Sequence, residues 1–325
     1  MTYNSGSTLQ KRFVTGRFTL AVLLSGALLL WVIYALSGAS NSADDVDVLL
    51  LLPRWLRCTL SFAVYMAVAY IANSFVVIES RTPWLGGVLM WLTGLCFFAQ
   101  ESLFLPLSLL AFTVVLSVLL SCFRRPDVQL WVYSAFALLS FLALFVPCAV
   151  YIFPLAFVYM ATTSVINVRN ILSALLGLFT PVWVFYCLSF AVDGVGLFYG
   201  ASLQKVADAV QLSLLPFTPY NVSLLVAEAV VMFPCAVVFA RSSSPAKPLM
   251  RKMLTFFIMT GIFLWVLSFV RGNDFSLFFT WRLPSLSIMM AYLFTLKVNR
   301  FTNIYFIVVN ILYIAVAALG IWNLI

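Results

Sequence analysis

Histidine is missing from all 325 residues. Its absence excludes Ser-His-Asp and Cys-His nucleophilic catalysis, histidine metal sites, histidine-ligated haem and the HExxH zinc proteases. Charge is scarce as well. A soluble domain usually carries about 25% charged residues, whereas this chain carries 9% and is 64% hydrophobic. A soluble fold has too much surface for its volume to hide that much apolar side chain, so hydrocarbon is the implied solvent. The six cysteines, Cys58, Cys96, Cys122, Cys148, Cys187 and Cys235, form no CxxC pair. They lie in or beside apolar runs and read as small buried hydrophobes, with a Cys58–Cys148 disulfide left open. There is no phosphate-binding GxxxxGKS, no GxGxxG after a strand and no GxSxG elbow. No metal or cofactor is implied, and no polar stretch is long enough for a soluble domain.

Long apolar runs are what the chain does have. They cover roughly 18–37, 58–78, 85–100, 103–122, 129–146, 148–166, 171–191, 221–240, 253–270, 281–296 and 303–322. Their length suits bilayer-crossing helices, and it is about twice the ten-residue alternating segment of a β-barrel strand. The predicted fold class is therefore all-α: a polytopic transmembrane bundle of ten or eleven spans, forming one integral membrane domain over 1–325. The run at 18–37 also resembles a signal peptide, with a weak cleavage site at Ser37-Gly38-Ala39-Ser40. Its apolar part exceeds the usual signal core of roughly 7–15 residues, which favours an uncleaved first span.

The net charge of +8 comes from loops beside spans, so it reads as membrane topology and not as a nucleic-acid surface. With the amino end in the cytosol, the inner segments hold Lys11, Arg12, Arg17, Arg81, Arg124, Arg125, Arg169, Arg241, Lys247, Arg251, Lys252, Lys297 and Arg300, thirteen of the eighteen basic residues. Dropping one middle span would erase that bias, which favours an odd count. Trp84 and Trp131 then fall near the inner interface, and Trp55, Trp281 and Trp322 near the outer one. Two outer loops stand out. The first is roughly 38–57. The second, roughly 192–220, contains Leu203, Val206, Ala207, Val210 and Leu214 at the spacing of an interfacial helix.

Three stretches carry a resemblance. They are Asn73 followed by Arg81-Thr82-Pro83-Trp84-Leu85, then Val168-Arg169-Asn170 leading to Leu175-Leu176-Gly177-Leu178-Phe179-Thr180-Pro181, and Leu283-Pro284-Ser285-Leu286-Ser287 with Ala291-Tyr292-Leu293-Phe294. With these, most of the chain resembles an uncharacterised family of polytopic inner-membrane proteins of Bacteroidota, a domain of unknown function. The resemblance implies residence in the cell inner (plasma) membrane and supplies neither catalytic residues nor a substrate. The chain departs from the pattern at Trp281-Arg282-Leu283, where plain apolar residues are expected.

Few polar groups remain as candidates for function. Glu228 lies inside the run 221–240, and an ionisable group there marks a functional site by default. Asn221, Glu228 and Cys235 are seven apart and share one helix face with about 20° of drift per step. Asn310 and Asn73 read as interhelical hydrogen-bonding residues, and Ser173, Gly177 and Thr180, like Gly87 and Gly94, as close-packing faces. Pro181 and Pro234 sit inside spans, where each frees a carbonyl. Arg54, Arg57, Arg271 and Arg282 are placed at the outer interface as binders of anionic lipid or a lipid-linked glycan, or as snorkelling residues and partners of Asp274 and Glu101. Asp44, Asp45 and Asp47 in the first outer loop are the candidate catalytic carboxylates if the protein is an enzyme.

Three functions fit these residues. The first is a transporter-like or lipid-handling protein in which Glu228 lines a cavity with outer arginines at its mouth. The second is a membrane glycosyltransferase or polymerase-like enzyme using a lipid-linked substrate on the outer side. The third is a non-catalytic scaffold of an envelope complex. The expected partner in every case is the lipid bilayer, with no nucleic acid. Neither enzymatic activity nor oligomeric state follows from the sequence.

Overall fold

The structure, a computed structural model, describes residues 19–36, 54–74, 84–94, 103–122, 128–163, 165–191, 218–241, 248–296 and 300–324. Among these are eleven α-helices, one in each apolar run: α1 (Thr19–Leu36), α2 (Arg54–Ser74), α3 (Trp84–Gly94), α4 (Phe104–Ser121), α5 (Val128–Phe145), α6 (Ile152–Thr162), α7 (Val168–Ala191), α8 (Pro219–Arg241), α9 (Pro248–Val270), α10 (Phe275–Leu296) and α11 (Arg300–Leu324). Seven of them, α4, α5 and α7–α11, are long and apolar enough to cross a bilayer. Shorter apolar helical segments cover Ala21–Ile33, Leu56–Ala72 and Pro147–Thr162. The chain is an all-α, multi-pass membrane protein.

Local chemistry sets several helix ends. Val146 precedes Pro147, whose ring pushes the preceding residue out of the helical region. Val146 accordingly sits at φ −125°, ψ 87° and separates α5 from a five-residue 3-10 turn, Pro147–Tyr151, that leads into α6. At the start of α8, Thr218 accepts a hydrogen bond from the Asn221 N–H at 3.3 Å, with Pro219 at the first helical position. That is an N-cap followed by a residue with no N–H to orphan. Within spans, hydroxyls turn back on their own helix. Thr113 donates to the Leu109 carbonyl at 2.7 Å, Thr260 to Phe256 at 2.8 Å and Thr280 to Ser276 at 2.6 Å. Such bonds satisfy the hydroxyl where no water is at hand. Asn310 does the same, donating to the Phe306 carbonyl at 2.7 Å. The interhelical role expected for it is replaced by a bond within α11. The side chain of Asn73 and the interfacial helix expected near 203–214 lie outside the described residues.

The helices gather into two compact units. One comprises Ser108–Leu215 with Phe269–Phe275. In it α5 and α7 pack along their lengths on the small face that the sequence picks out. A Cβ added at Gly177 would lie 2.5 Å from the Tyr133 carbonyl oxygen and 3.1 Å from the Ala137 nitrogen. Tyr133 O–H lies 3.1 Å from Thr180 Oγ1, and Ser140 Oγ donates to the Leu178 carbonyl at 2.7 Å. The remaining side of α7 is bare apolar surface, with only 11% of its span buried.

The other unit comprises Met1–Leu107, Pro216–Ser268 and Ser276–Ile325. Here Gly87 and Gly94 of α3 admit Leu23 and Ala27 of α1, and Trp31 meets Phe62 and Tyr65 of α2 edge-on at 5.8 Å. In the same unit α10 contacts α8, α9 and α11. It is the most buried of the seven candidate spans, at 94%, and the least apolar. The two properties belong together, because a helix carrying Thr280, Arg282, Ser285 and Ser287 is tolerated at membrane depth only where protein covers it on every side. Trp281, expected in the outer aromatic belt, is fully buried in this helix against Phe278.

Gly177→Leu should lower the thermal midpoint of the detergent-solubilised protein by several degrees, because its side chain meets backbone and not a movable side-chain tip. The midpoint should be nearly indifferent to Leu176→Ala on the bare face of the same helix.

Candidate functional site

Two ionisable residues meet inside the second unit described above. Glu228 lies nine residues into α8, and Arg282 lies seven residues into α10, about 10 Å from that helix's start. Both are fully buried. Arg282 Nε donates to Glu228 Oε1 at 2.9 Å, and its Nη2 lies 2.7 Å from Oε2. The third nitrogen, Nη1, donates to the Leu264 carbonyl at 3.2 Å and to Ser268 Oγ at 2.9 Å, both on α9. The guanidinium also sits 5.4 Å from the centre of the Phe279 ring. One cation therefore ties α8, α9 and α10 together near one end of the three helices.

The planar guanidinium fork explains why arginine fills this place. A bidentate partner must match both carboxylate oxygens, and lysine offers a single point charge. The surroundings are otherwise close-packed. A Cβ at Gly261 of α9 would lie 2.6 Å from the Met289 methyl of α10. Cys235, on the Glu228 face of α8, is buried with its Sγ 3.6 Å from the Met289 carbonyl. Asn221, two turns before Glu228, is half-buried. Pro234 lacks an N–H, so the Val230 carbonyl four residues back has no helical donor. The Tyr305 hydroxyl of α11 donates to it. Trp265 of α9 likewise donates its indole N–H to the Leu225 carbonyl of α8 at 3.2 Å. The carbonyl that Pro234 leaves without a helical donor is thus satisfied from α11.

Several expectations change here. Arg282 is not an outer-interface arginine; it is the partner of Glu228 in the core. Glu228 does not line an open cavity with arginines at its mouth, because it has no exposed surface and is held by Arg282. Arg271 belongs to the other compact unit, where it pairs with Asp274 and its guanidinium lies 5.9 Å from the centre of the Tyr151 ring. Of the binding and pairing roles open to Arg271, the structure shows pairing. Arg57 is half-buried on α2, and its Nε has no hydrogen-bond partner among the described residues. The side chain of Arg54 and all of Asp44, Asp45 and Asp47 lie outside the described residues. No disulfide joins Cys58 to Cys148, the pairing left open by the sequence. Among the described residues no three or more Cys, Asp or Glu converge as a metal site would require.

Sequence reasoning missed Arg282 and Ser268 as partners of Glu228. One signal was present. Arg282 departs from an otherwise apolar pattern, and an isolated acid and an isolated base in neighbouring spans are natural partners. The α10 boundary concealed it. The sequence suggests a start near 281, which leaves Arg282 at a helix end, whereas the helix begins at Phe275.

Compared with family models, curated proteins and solved structures, the chain matches none of them. What the fold and the site define is a class, a multi-pass helical membrane protein with an ion pair sealed in its core.

Removing one partner of a buried pair strands the other charge, a loss of about 3–5 kcal/mol. Arg282→Met should therefore destabilise the protein strongly in detergent unfolding. Adding Glu228→Met to it should restore most of the loss, which a double-mutant cycle measures directly. Additive losses would show that the pair is not coupled.

Proposed function

We propose that this chain is a transporter-like or lipid-handling protein of the cell inner membrane, threaded with its amino end in the cytosol, and that the Glu228–Arg282 pair locks its α8–α9–α10 core in a closed state. The resemblance to polytopic Bacteroidota proteins and the bias of Lys and Arg toward one set of loops support the location and orientation. One observation carries the functional reading: a bidentate ion pair, with both partners fully buried, joins three membrane helices.

A buried ion pair is a poor way to gain stability. Apolar residues of the same volume often do as well or better, and setting register or switching state is the best-attested role for such pairs. Any movement of α8 against α10 must part the two charges. Bare charges at membrane depth are costly, so opening requires a substitute. A proton on Glu228 supplies one, and an anionic group delivered to Arg282 supplies another. Both are what a coupled carrier or a handler of acidic lipids would bring. The closed pair is then the resting state of the site, and the cavity forms only when the pair exchanges partners.

The test uses the full chain in sealed vesicles, with Cys235 as its single cysteine. Cys235 shares the Glu228 face and is fully buried, so its reaction with a maleimide reports opening. Glu228→Gln should speed labelling by about tenfold, the effect of weakening the closed state by roughly 1.4 kcal/mol. The wild-type protein should also speed passage of protons, or of a fluorescent acidic phospholipid, above the rate in protein-free vesicles. Unchanged labelling in a folded Glu228→Gln protein, together with no flux of either kind, would overturn the proposal in favour of a scaffold.

A further inference from the structure

Charge pairing leaves an unbalanced residue at the other end of the same helices. From 219 to 325 the chain has two acids, Glu228 and Asp274, and eight bases: Arg241, Lys247, Arg251, Lys252, Arg271, Arg282, Lys297 and Arg300. Both acids are consumed, Glu228 by Arg282 and Asp274 by Arg271. Six more bases belong to the α8–α9 and α10–α11 connections or to the helix turns beside them, where the sequence holds no acid.

Three of the six are placed by the structure. Arg241 closes the last turn of α8 and is exposed; Arg251 stands near the start of α9 and is exposed; Lys252 beside it is half-buried. Aromatic contacts hold these helix ends together. The Arg251 guanidinium lies 5.9 Å from the centre of the Phe239 ring of α8, and that ring meets Tyr292 of α10 edge-on at 6.2 Å. The carboxyl-terminal ends of α8 and α10 therefore meet the amino-terminal end of α9 in one place. All of these residues lie in one compact unit.

The position of Arg251 is unfavourable by itself. The start of a helix carries partial positive charge, so a cation there is repelled unless an anion neutralises both. Neither Arg241 nor Arg251 has an acidic partner among the described residues. We propose that the joined ends of α8, α9 and α10 bind the phosphate of an anionic lipid headgroup through Arg241, Arg251 and Lys252. Arginine grips phosphate oxygens in a fork, and lysine adds a point charge. Phe239 and Tyr292 place an apolar-to-polar border beside the cations, as a membrane interface requires. A lipid fits better than a dissolved phosphate because this edge sits where headgroups already concentrate the charge. The site is separate from the ion pair, and it stands whether or not that pair is a lock.

The experiment is native mass spectrometry of the full detergent-purified chain with phosphatidylglycerol, phosphatidylcholine or inorganic phosphate added. The wild type should retain phosphatidylglycerol in preference to phosphatidylcholine, and raising salt should release it. Arg241→Gln, Arg251→Gln and Lys252→Gln together should weaken that retention by about a hundredfold, at roughly fivefold for each charge lost near an anionic surface. Equal retention of the two lipids by the wild type would overturn the proposal. So would a preference that survives in the triple variant, or one that does not respond to salt. Displacement of the lipid by millimolar inorganic phosphate would assign the site to a soluble phosphate and reject the lipid. The salt series uses only the wild type, so the proposal is decided even if the triple variant does not fold.

Discussion

Hydrocarbon cannot accept or donate a hydrogen bond, and every part of this structure answers to that constraint. Hydroxyls at membrane depth bend back to their own helices, as Thr113, Thr260 and Thr280 do. The carbonyl that Pro234 leaves bare receives the Tyr305 hydroxyl. Of the seven candidate spans the least apolar, α10, is the one with the most cover. The bare side of α7 is apolar, while Glu228 and Arg282 are fully buried.

Glu228 and Arg282 push this constraint furthest. Hydrogen bonds between membrane helices average about 0.6 kcal/mol and seldom exceed 2. Contacts such as Tyr133 to Thr180 belong to that range and are adequate for packing. A buried carboxylate and guanidinium each lose several kcal/mol of hydration, which their mutual attraction must offset. Near-complete satisfaction of Arg282 by α8 and α9 shows how it is offset here. Arg271 and Asp274 repeat the chemistry in the other unit with less at stake, since Asp274 keeps some contact with solvent.

The apolar helices were legible as ten or eleven runs because apolar length and loop charge are properties of short segments. Gly177 was legible too, since small residues at helical spacing mark a close approach wherever the partner lies. Arg282 and Trp281 were not. An aromatic-rich stretch from Phe275 to Trp281 has no sharp start signal, and the polar Asn273 and Asp274 beside it suggest a longer loop than exists. A shift of six residues in one boundary moved a core arginine to the membrane surface. For Asn310 the spacing to a partner helix cannot be seen in the chain, and the carbonyl four residues back was simply nearer.

The amino-acid sequence by itself determined the solvent, the all-α class with ten or eleven spans, the absence of histidine chemistry and the isolation of one acid within a span. Each follows from composition or from neighbours along the chain. Only the tertiary structure decided that Glu228 meets Arg282, that Ser268 and the Leu264 carbonyl complete the site, and that α10 is enclosed. Those facts depend on which helix faces join between residues 54 positions apart. Helical periodicity shows that a helix has a buried face, but it carries no information about which other helix will cover it.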